Sequence, residues 1–165
     1  MGVTIHFEGR LKDAEALKRV IDAAKRTGWK DKRIEEAHVT LERVRDEAEW
    51  DYTGPTYGIE LQPHENCEPL RLEFDCDLYV QEYVKTQFAP PETHMAIVHF
   101  LKAIAPEFDA LQVFDEGEYW DTGSIDVLTY HIDSCERALQ EVLETNASAR
   151  GPLRLPSGRI VDFLE

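Results

Sequence analysis

Hydrophobic and polar positions along the chain change period several times, and each change marks an element. Val3-Thr4-Ile5-His6-Phe7 alternates, which predicts a strand with Val3, Ile5 and Phe7 on one face. Leu17, Val20, Ile21 and Ala24 then follow helical spacing, with Asp13 placed to cap the first turn and Thr27-Gly28 to stop the last. Lys18, Arg19, Lys25 and Arg26 fall on the outer, solvated face of that helix.

Alternation returns in the middle of the chain. Residues His38 to Val44 read as a second strand, and Tyr57-Gly58-Ile59-Glu60-Leu61 as a third, bounded by Gly54-Pro55 and Pro63. Leu70 to Leu78 is the most regular segment of period two. It predicts a half-buried strand with Cys76 on the core side and Asp75 and Asp77 in water. Pro90-Pro91 primes a helix whose inner stripe is Ile97, Phe100, Leu101 and Ile104 and which ends at Pro106. Leu111 to Phe114 reads as a strand. Leu128, Ile132, Cys135, Leu139 and Val142 mark a last helix, which a capping pattern at Asp133-Ser134-Cys135-Glu136 would split in two. Ala147 to Pro152 reads as a loop, and Pro156-Ser157-Gly158 as a turn before a strand at Arg159 to Phe163.

Hairpin-length gaps between the middle strands predict an α+β fold, a mostly antiparallel sheet with two to three helices packed on one side. A length of 165 residues suits one domain spanning 1–165, with 146–165 as a loop and terminal strand tail.

Charge changes this picture more than composition does. The chain holds 18 Lys and Arg against 33 Asp and Glu, a formal net charge of −15. Residues 1–45 carry 11 basic and 8 acidic side chains, whereas residues 46–145 carry 4 and 23, a net of −19. Such a field repels phosphate backbones and anionic lipid, so neither nucleic acid nor membrane is an expected partner, and a basic protein surface is. No apolar run approaches the length of a membrane span and no basic, then apolar leader opens the chain, so a cytoplasmic location is expected. Cys67, Cys76 and Cys135 are odd in number and widely spaced, which suits reduced thiols.

Three segments carry side chains suited to chemistry. The loop Gln62 to Pro69 holds His64, Glu65, Cys67 and Glu68, where His64 as base and Cys67 as nucleophile would form a dyad. Lys85, just before the proline-primed helix, would neutralise nearby acid or stabilise charge in a site. Asp115, Glu116, Glu118, Trp120 and Asp121 form an acidic and aromatic binding segment, with Glu116, Glu118 and Asp121 as candidate ligands for a divalent cation. The spacing is not that of an EF-hand. His94 and His99, about 140° apart around one helix, do not share an ion. Phosphate-loop, dinucleotide, nucleophile-elbow and zincin motifs are all missing.

Gly58-Ile59, Pro63-His64, Cys67-Glu68-Pro69-Leu70, Lys85 to Ala89 and Asp115 to Thr122 together resemble segments of a group of small bacterial proteins of unknown function. The resemblance implies no activity. It implies that the three segments share one surface and that a tighter, glycine-containing turn stands at Asp75 to Leu78. The expected role is a non-enzymatic acidic binding or regulatory protein, with no cofactor. The rival expectations are a metal-dependent or Cys/His enzyme built on His64, Cys67, Glu116 and Glu118, and a homodimeric structural protein.

Overall fold

The computed structural model describes residues 2–165. In chain order these form β1 (Thr4–Arg10), α1 (Ala14–Lys25), β2 (Lys30–Leu41), β3 (Val44–Arg45), β4 (Ala48–Glu49), β5 (Tyr52–Gln62), β6 (Leu70–Phe74) and β7 (Tyr79–Lys85). The chain continues as α2 (Pro91–Ile104), a single 3-10 turn (Ala105–Glu107), β8 (Gln112–Asp115), α3 (Tyr119–Thr122), α4 (Ile125–Thr145), β9 (Leu153–Arg154) and β10 (Ile160–Val161). All strand pairing is antiparallel, in two three-stranded sheets ordered β7-β1-β8 and β2-β5-β6 and two small two-stranded ribbons. The fold is α+β, as the strand and helix periods predict.

Alternation within β1 divides the molecule. Val3, Ile5 and Phe7 point into a core shared with Val20 and Ile21 of α1, Leu70 and Leu72 of β6, Ile97 and Leu101 of α2, and Leu128 of α4. Asp13 caps α1 by accepting the Ala16 amide at 2.8 Å, and Pro91 occupies the first turn of α2, where its missing amide costs nothing. The 21 residues from Ile125 to Thr145 form one unbroken helix. Gly58 of β5 lies tight against β6: its φ is +151°, and a Cβ there would sit 1.7 Å from the Leu72 carbonyl oxygen.

Three strand limits differ from the sequence reading. β2 begins at Lys30 rather than His38, because eleven of its twelve residues lie outside the core and leave no apolar period to read. β5 begins at Tyr52 and runs through Gly54-Pro55: the ladder to β2 shifts between Glu36 and Val39, so Pro55 meets a bulge and no ladder bond requires its missing amide. The segment Leu70 to Leu78 is not one strand. It ends at Phe74 and turns, with the Leu78 amide bonded to the Asp75 carbonyl at 3.0 Å and the Asp75 amide to the Tyr79 carbonyl at 3.0 Å. No glycine makes this turn; Leu78 takes the left-handed conformation at φ +63°.

That turn reverses the predicted faces. Cys76 is exposed, and Asp75 is buried against Arg43, whose Nη1 donates to its Oδ2 at 2.6 Å. The Asp77 and Tyr79 amides fill the other carboxylate oxygen, and the rings of Trp50, Tyr52 and Tyr79 enclose the guanidinium at 5.2–5.5 Å. A buried carboxylate is tolerated because an opposite charge and three hydrogen bonds replace its water.

Candidate functional site

The acidic segment 115–121 does not gather its carboxylates. Adjacent residues leave the end of β8 in opposite directions, and each of the first three acids meets a histidine from a different element. His94 of α2 donates from Nε2 to Asp115 at 3.0 Å, His6 of β1 approaches Glu116 at 2.8 Å, and His131 of α4 approaches Glu118 at 2.5 Å. Asp121 lies exposed on α3, and the Trp120 ring packs 5.1 Å from Lys102 Nζ. Among the described residues no group of three or more His, Cys, Asp or Glu side chains is placed to hold a metal ion.

Asp115 belongs to the interior. It accepts the backbone amides of Gly117 at 2.8 Å and Trp120 at 2.9 Å besides the imidazole, while Thr86 Oγ1 lies 2.6 Å from His94 Nδ1. Burial alone would raise the Asp115 pKa, but the hydrogen bond and charge of His94 and the two amides outweigh it and hold the carboxyl below its ordinary value. Hydroxyl, imidazole and carboxylate are connected here as in a nucleophilic triad. Thr86 and His94 are nevertheless wholly buried, so the chain acts as an internal tie between β7, α2 and the turn into α3.

The 62–69 loop and Lys85 are likewise committed to holding the chain together. Cys67 is fully buried, and burial, aided by the charge of Glu68, pushes its thiol up to about 12; the sulfur faces the Lys85 carbonyl rather than His64. A nucleophile must be a thiolate, which that environment opposes. His64 Nδ1 accepts the Asn66 amide at 3.0 Å. Glu68, also buried, accepts the amides of Lys85 and Ile160 at 2.8 and 2.7 Å, and Lys85 Nζ reaches Asp162 at 2.8 Å, so both fasten the C-terminal ribbon to β7 rather than neutralising the 115–121 acids. His64, Asn66, Gln87 and Phe88 share a cleft of about 600 Å³ with Leu139 and Leu143 of α4, and none of residues 115–121 lines it.

A larger concavity lies elsewhere, over the outer face of the β7-β1-β8 sheet, with a volume of about 950 Å³. Register sets two rows across its floor. Tyr83, His6 and Phe114 lie side by side, with ring centroids 5.9 and 5.8 Å apart, and beside them run Gln81, Glu8 and Gln112. Thr40 and Leu41 at the end of β2, Glu42 just after it, and Ser157 and Arg159 near the C-terminus also line the concavity. Arg159 stacks 3.8 Å from the Tyr83 ring centroid and donates to the Tyr83 carbonyl and Glu82. Burial raises the Glu82 pKa against the opposing pull of that arginine. Glu8 accepts from Tyr79 Oη and Gln81 Nε2, and Glu116 stands beside His6. Phe114 is 67% exposed and Tyr83 44%, side chains that an ordinary solvated sheet face does not place together.

Of the candidate site residues read from the sequence none lines this groove, and Glu116 reaches its edge only through the contact with His6. His6, Glu8, Tyr83, Phe114 and Arg159 were not among them. The signal was present in the aromatic side chains at the outward positions of β1, β7 and β8, where alternation calls for polar ones. Compared with known proteins, the chain matches no family model, no curated protein and no solved structure.

Proposed function

We propose that the protein is a non-enzymatic acidic binding module that docks a basic protein segment in the groove over the β7-β1-β8 sheet. The observation that carries this reading is the exposed row Tyr83-His6-Phe114 with the carboxylates of Glu8, Glu42 and Glu116 at its margin. A Lys or Arg side chain laid over those rings gains cation–π attraction and buries its aliphatic stem, and its charge lies within reach of the carboxylates. The wider field favours the same partner. Among the described residues, Arg19–Glu107 and Arg43–Asp75 are the pairs joining a Lys or Arg of 1–45 to an acid of 46–145, so most of the −19 block is not cancelled from within. The same surplus speeds encounter with a cationic partner and makes it sensitive to salt.

The test is an NMR titration with an extended peptide that alternates Arg with aliphatic residues, beside a control with Gln in place of every Arg. Resonances of His6, Tyr83, Gln112 and Phe114 shift with the basic peptide, the affinity falls as salt rises, and the Gln control binds at least about tenfold more weakly. Equal binding of the two peptides, or shifts confined to other surfaces, overturns the reading.

A further inference from the structure

β2 is the outermost strand of the β2-β5-β6 sheet, so one of its edges presents backbone amides and carbonyls with no strand beside them among the described residues. Of its twelve residues only Ile34 is buried, and its substantial contacts are with β5 alone. The ladder to β5 is regular from Lys30 to Glu36, which gives a straight, extended template on the free side.

The order of side chains on this template is self-complementary. Lys32-Arg33-Ile34-Glu35-Glu36 places two cations before the buried isoleucine and two anions after it. None of these four charged side chains forms an ion pair within the chain among the described residues. Antiparallel pairing of two copies about a two-fold axis at Ile34 sets Lys32 opposite the partner's Glu36 and Arg33 opposite the partner's Glu35, each twice by symmetry. Directly opposed residues of an antiparallel pair project from the same face, so all four contacts are cross-strand charge pairs. Moving the axis by one residue puts Arg33 opposite the partner's Arg33, or Glu35 opposite the partner's Glu35, and loses this match.

We propose that β2 is a homodimerisation strand: it pairs with β2 of a second copy in this register and joins two three-stranded sheets into one of six. The overall charge of each copy opposes association, but the strand lies in residues 1–45, whose net charge is +3, so the axis runs through the least acidic part of the chain. An edge strand bearing lysine commonly serves only to repel other strands. Repulsion needs charge of any order, whereas pairing needs cations and anions mirrored about one residue, and the latter is what this strand carries. An interface of a few ladder bonds and four charge pairs gives a weak, salt-sensitive dimer.

Sedimentation of the full chain over a concentration series at low and high salt tests this with two variants, K32E/R33E and E35K/E36R. The wild type dimerises at low salt. Each variant alone places like charges opposite one another and loses at least about tenfold in dimer affinity, and an equal mixture of the two recovers the dimer because every pair is again opposite in sign. The substitutions lie at exposed positions, and unchanged thermal melts establish that each variant folds. A wild type that stays monomeric at low salt, a dimer that both variants retain, or a mixture no better than its components overturns the proposal.

Discussion

Asp115 and Glu116 are neighbours in the chain, each hydrogen-bonded to a histidine, yet they belong to different halves of the molecule. The Asp115–His94 pair is sealed, with both side chains 0% exposed and the carboxylate filled by two further backbone amides. The Glu116–His6 pair is open, with side chains 29% and 44% exposed, beside the Phe114 ring, which is 67% exposed. The two faces of one sheet thus treat the same chemistry in opposite ways. Inside, every polar atom of the pair is satisfied by protein, so removing one partner strands the others; outside, polar and aromatic groups retain unused capacity for a ligand. Titratable residues in a cluster are therefore a poor guide to function here, because the better connected they are, the more completely the fold has used them.

The largest effect on this contrast comes from Asp115→Ala, which leaves the His94 imidazole and the Gly117 and Trp120 amides without their buried acceptor. Urea unfolding should show a loss of about 3–5 kcal/mol. Arg43→Ala strands the Asp75 carboxylate in the same manner, with an expected loss of about 3 kcal/mol in the same measurement. Values under about 1 kcal/mol for both variants would mean that the interior is not sealed as described.

Acid unfolding sharpens the comparison. The Asp115 carboxyl is held below its ordinary 3.8 in the folded chain, so the unfolded state binds more protons in that range. Its contribution is fully present above the unfolded value and is lost as pH falls through the folded one. Melts of the wild type and Asp115→Ala should therefore converge as pH drops below about 4.

Phe114→Ala on the open face should change stability by no more than about 0.5 kcal/mol while weakening the basic peptide by roughly tenfold. A variant that unfolds the protein would place Phe114 in the core. The smallest effect is chemical. Iodoacetamide should label exposed Cys76 first and buried Cys67 only on unfolding, with no change in stability for Cys76→Ser; rapid native labelling of Cys67 would restore it as a nucleophile.

Most helices and the central strand were legible because burial on one side imposes a period: Val3, Ile5 and Phe7, the cap at Asp13, and the stripe from Ile97 to Ile104 all lie where their spacing places them. β2 was not, since an edge strand is held by a ladder to a partner 11 to 32 residues away and needs no apolar face of its own. The turn at Asp75 escaped for a related reason. Its period of two continues through Leu78, and only the arrival of Arg43 from the distant link between β2 and β3 makes burial of Asp75 favourable over hydration.

The site shows the same division. Sequence alone determined the excess of negative charge, the α+β alternation and the residue types available, because these depend on composition and on local spacing. Which carboxylates would be consumed as internal ties, and that Tyr83, His6 and Phe114 would form one row, was decided by tertiary structure. Strand register brings together residues more than a hundred positions apart, and no local period encodes which strand lies beside which.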